Sequence, residues 1–273
     1  ARGNKLTFTS DSKFAVFGVK PFYKDIKAVK DKKLKSSKLT KDSLFIVNLQ
    51  TNSVEKIDNV KSFFVPQKGG SVLVYQLEDP KDKKEDSKDD DEEKKDDDKP
   101  SSPLSLVVMN LLTGKKTTYE NVIRYKLSEN GKSLAFISQK PEDKDDKKED
   151  KKDEKESDEK EKIKEKPKAK PKVTNKSLPV KYPLTSLYFA DIESGNSEKL
   201  VEGESDFSQV AFDEIGSQLA FVSTSSAKND LVKEYQFNYY NPKSKKQTVL
   251  TNQNKKLPKD WVFSENRLPK FSK

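Results

Sequence analysis

Apolar residues in this chain come in short alternating runs set off by polar turns, and the runs occur in pairs. Residues 6–17, 63–75, 125–136 and 210–221 share one order: an apolar alternation, a polar turn, then a second alternation. Apolar side chains at every second position fit a strand that turns one face to a core, so each stretch predicts a β-hairpin. Asn130-Gly131, Ile215-Gly216 and Gly69-Gly70 place glycine where the turn needs positive φ, and Asp11-Ser12 is a weaker turn former. A second pair of strands follows each hairpin, at residues 43–57, 104–119, 186–200 and 235–249, with Thr113-Gly114 and Ser194-Gly195 marking bends. The repeat unit is therefore four strands. A fifth copy begins at Leu268-Pro269-Lys270-Phe271, so the C-terminus is expected to fall inside a repeat.

The matching aromatic positions Phe17, Tyr75, Phe136 and Phe221 lie 58, 61 and 85 residues apart. Removing polar inserts at about 20–41, 81–103 and 141–183 leaves a period of about 40 residues, the size of a four-stranded propeller blade. A blade cannot bury both faces of its sheet alone, so neighbours must stack around an axis. The expected fold is all-β: a partial β-propeller of about four antiparallel four-stranded blades over residues 1–273, with WD40-like or TolB-like repeats. An open sandwich would alternate similarly without repeating a four-strand unit in register. The inserts all follow the second strand, which places them at one rim. Phe8, Phe14, Phe17, Phe136, Phe212 and Phe221 are expected to pack between blades. Tyr235, Phe237, Tyr239, Tyr240 and Trp261 fall partly on the opposite face and are the candidates for a ligand or domain contact.

Charge changes the picture in two places. Residues 81–100 carry 7 Lys and 11 acids, and residues 140–172 carry 14 Lys and 13 acids, so the pair is net −3. The other 220 residues hold 34 basic and 22 acidic side chains, net +12, an ordinary density of charge for a folded domain. The two tracts have too few apolar side chains to offset the entropy of ordering them and read as disordered insertions. Their acidic clusters lack the spacing and central glycine of a calcium loop, so no metal site is expected. Their lysines are interleaved with as many acids, and the chain has three arginines, Arg2, Arg124 and Arg267, so no nucleic-acid partner is expected.

There is no histidine and no cysteine, which excludes Ser-His-Asp and Cys-His catalysis, the usual zinc ligand sets and disulfides within this chain. Ser10-Asp11 and Ser128-Glu129-Asn130 are turn residues, and no G-x-S-x-G elbow occurs. No catalytic residue is assigned, the binding residues stay open, and no cofactor is expected. No apolar run approaches the length of a membrane span. The N-terminal Ala1-Arg2-Gly3-Asn4 is neither an initiator nor a leader, and the chain reads as a segment of something longer.

Residues 9–17 (TSDSKFAVF) and 127–136 (LSENGKSLAF) resemble the S-x-D-G-K-x-hydrophobic-A-F repeat of propellers in the prolyl oligopeptidase-like (S9-type) serine peptidases, a repeat shared with TolB-like propellers. Residues 19–24 and 41–44, then 205–207 and 233–240, occur in an order similar to the long Bacteroidota forms, whose N-terminal propeller carries charged insertions. The resemblance implies a parent enzyme with a C-terminal α/β-hydrolase domain absent from this chain, a peptide substrate, and a periplasmic or secreted location. The propeller would gate and position peptides for that domain. The alternative is a TolB-like envelope propeller that binds proteins or peptides without enzymatic activity.

Overall fold

The computed structural model of the chain describes residues 2–32, 41–78, 103–140, 179–250 and 269–271. Among these, fifteen strands form antiparallel meanders in chain order. The first blade is β1 (Gly3–Phe8), β2 (Phe14–Val19), β3 (Ser43–Asn48) and β4 (Val54–Ile57). The second runs β5 (Val60–Phe64), β6 (Val72–Leu77), β7 (Leu104–Asn110) and the first part of β8 (Lys116–Leu127). The remainder of β8 opens the third, with β9 (Ser133–Gln139), β10 (Thr185–Asp191) and β11 (Ser197–Gly203). The fourth is β12 (Asp206–Phe212), β13 (Leu219–Thr224), β14 (Gln236–Asn241) and β15 (Lys246–Val249).

The one departure from four separate sheets is β8. Its Lys116 to Tyr119 pair with β7, its Arg124 to Leu127 pair with β9, and Val122 pairs with both Leu104 and Ser138. The two central blades therefore share hydrogen bonding in a seven-stranded sheet. Between the first and second blades Asp58-Asn59 interrupts the same path, and Asn59 and Asn121 both take positive φ there, at 61° and 57°. Asparagine tolerates that conformation better than most residues, so it serves as the corner between blades.

Successive residues of a strand point to opposite faces, and in the second strands both faces are buried. Val72 and Val74 face one way and Leu73 and Tyr75 the other. This produces three apolar seams. Phe14, Val16, Leu44 and Ile46 meet Leu73, Tyr75, Val107 and Met109. Val72, Val74, Leu106 and Val108 meet Val122, Leu127, Leu134 and Phe136. Ala135, Ile137, Leu187 and Phe189 meet Phe207, Leu219, Phe221 and Tyr240. Four blades stacked face to face through three seams constitute a partial β-propeller.

Register confirms the repeat position by position. Phe14, Val72 and Ser133 each pair with the residue that opens the turn after the third strand, Asn48, Asn110 and Asp191. Three positions on, Phe17, Tyr75 and Phe136 are equivalent, as the sequence spacing implies. The turn after the third strand is itself repeated. Asn48, Asn110, Asp191 and Asn241 accept backbone N–H bonds through a side-chain oxygen, and the residue four positions later, Asn52, Gly114, Gly195 or Lys245, has positive φ.

Phe14, Phe136 and Phe221 are buried in the seams, and Phe212 packs partly buried against the third. Phe17 stacks on Phe45, ring centroids 5.8 Å apart. Phe8 departs from expectation: it is 56% exposed. It pairs with Ala15 as Leu127 pairs with Leu134 and Phe212 with Leu219, on the face that in later blades meets the preceding blade. Among the described residues no blade precedes the first. The insert at 20–41 also contains a short helix, α1 (Tyr23–Asp31), with Asp25 in its first turn and the Arg2 guanidinium 3.4 Å over the Phe22 ring ahead of it.

Residues 81–102 and 141–178, where the disordered tracts were expected, lie outside the described residues, as does Trp261. Residues 179–183, counted within the insert at about 141–183, belong to the folded surface. The Val180 carbonyl accepts from Lys228 N–H at 2.8 Å, and Val180 N–H donates to the Asn229 side chain at 2.9 Å. Of the fifth copy, Pro269 to Phe271 are described, and Phe271 sets its ring 6.5 Å from that of Tyr239.

Candidate functional site

The first strands of the blades mark the side of the molecule where the axis lies. Turns between first and second strands bond from blade to blade in an unbroken series. Gly70 N–H donates to Ser10 Oγ at 2.8 Å, and the Ser71 hydroxyl donates to the Asp11 carboxylate. Lys68 N–H donates to Glu129 O at 3.0 Å, the Asn130 amide donates to Ile215 O, and the Ser133 hydroxyl donates to Gly216 O at 2.7 Å. Lys68 Nζ lies 3.2 Å from Glu129 and 3.5 Å from Glu214, so one side chain of the second blade touches the tips of the third and fourth. Tips that one lysine can span are converging.

The sequence builds these tips in a uniform way. Thr9, Ser128 and Asp213 are buried and accept, through the side chain, the N–H of the residue five positions on: Phe14 at 3.0 Å, Ser133 at 3.0 Å and Gln218 at 2.9 Å. Gly131 and Gly216 follow with φ of 67°. A Cβ on Gly131 would stand 2.9 Å from the Gly69 Cα, and one on Gly216 would stand 2.8 Å from the Ser128 Cβ, so Gly131 packs against backbone and Gly216 against a side chain of the neighbouring tip. Burial opposes ionisation of Asp11, but its bonds from Ser71, Thr9 and the Lys13 N–H outweigh that and hold the carboxyl below its usual range. The glutamates beside Lys68, Glu129 above all, raise the ammonium above its usual range.

Below the tips every first strand is irregular. Pairing slips between Asn4 and Thr7, between Val60 and Ser62, between Val122 and Arg124, and between Ser208 and Ala211. Lys5 and Gln209, at equivalent places in the first and fourth blades, take φ of 51° and 50°. A bulge turns side chains out of the regular pleat, here on the wall nearest the axis. Where the third and fourth blades meet, this opens a cavity of about 290 Å³. Tyr125, Ile137, Phe207 and Val210 supply its apolar surface, and Arg124, Lys126, Ser208 and Gln209 its polar one. Arg124 bonds Asp206 across the seam, tying the inner strands together.

Such a pocket can hold an apolar side chain while its cationic edge meets carbonyl or carboxylate oxygens. Among the described residues, no group of three potential ligands could hold a metal ion. Ser10-Asp11 and Ser128-Glu129-Asn130 sit where expected, in the turns, and their polar groups are used in the tip bonds. The aromatic cluster divides by alternation: Tyr240 is buried and donates to Glu198 at 2.8 Å, while Tyr239 on the opposite face donates to Gln218 at 2.6 Å. Burial first, and then the Glu198 bond, push the Tyr240 hydroxyl well above its usual range. Sequence reasoning missed the pocket because Arg124 and Asp206 are 82 positions apart and nothing local marks a bulge.

No protein-family profile and no curated protein matches this sequence. Solved structures with a similar arrangement include the β-propeller domain of the Trilobed protease from Pyrococcus furiosus, at 10% identity and a TM-score of 0.46, covering 92% of this chain and 57% of that one. Another is the Pyrococcus horikoshii acylaminoacyl peptidase, at 10% identity and a TM-score of 0.45, covering 91% of this chain and 32% of that one. TolB from Acinetobacter baumannii matches at 10% identity and a TM-score of 0.37, covering 91% of this chain and 43% of that one. This chain thus spans little more than half of the first of these and less of the others.

Proposed function

We propose that this chain is a non-catalytic propeller module that admits and positions peptides for a hydrolase domain of the prolyl oligopeptidase type, in a periplasmic or secreted enzyme. The observation that carries the reading is the inner wall: converging first strands, each bulged, with an apolar pocket edged by Arg124 and Lys126 at a blade seam. An extended peptide on such a wall finds a recess for a side chain and cations for its oxygens, whereas a folded protein cannot enter between the tips. The connections after the second strands leave from the rim opposite the tips.

Titrating a fluorescent unstructured peptide onto the chain tests this. Saturable binding that a Lys126→Glu variant weakens supports it, and absence of binding, or equal binding by that variant, overturns it. The second reading, an envelope interaction propeller without hydrolysis, draws on the exposed Leu6, Phe8 and Val54 of the first blade, which offer a surface to another folded module. It expects binding of a protein or peptide partner that Leu6→Lys/Phe8→Lys weakens and Lys126→Glu leaves unchanged.

A further inference from the structure

A larger cavity, of about 430 Å³, lies on the tip side between the second and third blades, away from the inner-wall pocket and with no part in peptide positioning there. Its floor is apolar: Val72 and Val108, both buried, with Ile192 beside them. Three ammonium groups line it, from Lys68, Lys115 and Lys132, against the single carboxylate of Glu193. Lys68 is already engaged by Glu129 and Glu214. Lys115 and Lys132 have no ion-pair partner among the described residues. Lys115 reaches over the seam toward the third blade, its Nζ 3.9 Å from where a Cβ on Gly195 would stand.

The lining is net cationic, three lysines against Glu193, with the Thr117 hydroxyl as a further polar group. Asn110 spends its carboxamide oxygen on the N–H groups of Leu112 and Thr113, at 3.0 and 3.1 Å, which leaves its NH2 as a donor. Lys115 and Lys132, without an ion-pair partner among the described residues, and the Asn110 amide outnumber Glu193, and beside an apolar floor they suit a ligand that supplies acceptors and hydrocarbon together. We infer that this cavity is a binding site for a small aliphatic carboxylate, its carboxylate held by Lys115 and Lys132 and its hydrocarbon laid on Val72, Val108 and Ile192. A bare inorganic anion would leave the apolar floor wet.

Calorimetric titration at low salt with hexanoate and with hexanamide tests the assignment. Hexanoate is expected to bind saturably, and hexanamide about ten-fold more weakly or worse, as befits loss of a charge-assisted contact. A Lys115→Ala/Lys132→Ala variant is expected to lose hexanoate binding by a similar factor. Both lysines are exposed, so an unchanged circular dichroism melt confirms that the variant folds. Absence of saturable hexanoate binding, equal affinity for the amide, or full affinity in the double variant would each overturn the inference. Peptide binding at the inner wall is read separately and does not bear on this outcome.

Discussion

Lys245 holds the left-handed place after the third strand of the fourth blade, where the equivalent residues are Asn52, Gly114 and Gly195. A lysine Cβ is strained at φ 51°, so Lys245→Gly is expected to stabilise the chain by about 0.5–1 kcal/mol in urea unfolding. Gly131 is the converse case. Its φ of 67°, and the 2.9 Å at which an added Cβ would stand from the Gly69 Cα, predict that Gly131→Ala destabilises by more than about 1 kcal/mol. Asp11 supplies a pH test. Because its folded pKa is depressed, its contribution is present above the ordinary carboxylate range and lost as pH falls through the folded value. The stability difference between the native chain and Asp11→Asn is therefore expected to be largest near neutrality and to shrink in acid, as measured by denaturant unfolding over a pH series.

At the scale of elements, each strand pair is held twice, by its ladder and by the seam its side chains enter. Leu134 is fully buried at the second seam, so Leu134→Ala is expected to cost about 2–5 kcal/mol in denaturant unfolding. The polar repeats do a different job from the seams. Ser43 donates to Asp58 at 2.8 Å, Ser105 to Glu120 at 2.9 Å and Ser186 to Glu202 at 3.1 Å, tying the start of each third strand to the end of the fourth. These pairs are exposed and contribute little energy, but they recur at one place in three blades and mark a common register. The alternation that reveals the strands is local and could be read directly. The length of β8 could not, because whether two blades share a strand depends on how the corner at Asn121 is wound.

For the whole molecule, the first blade presents Leu6 at 60% and Phe8 at 56% exposure on the face that later blades cover. Apolar side chains so placed drive association. The chain is expected to self-associate with rising concentration in sedimentation velocity, and Leu6→Lys/Phe8→Lys is expected to shift it toward monomer. A concentration-independent monomer for the native chain would count against this. The tips oppose the exposed face in character: they are polar, hydrogen-bonded from blade to blade, and closed by glycine contacts too tight for a side chain.

The four-strand unit, the turns and most of the seam residues follow from the order of amino acids, because strand alternation and turn chemistry act over a few neighbouring positions. The same local signals explain why Phe8 misled: alternation says which face a side chain takes, and only the stacking of blades says whether that face is covered. Both cavities were decided by tertiary structure. Arg124 meets Asp206, and Lys115 shares a recess with Lys132, because separate blades converge, and no spacing along the chain encodes that approach.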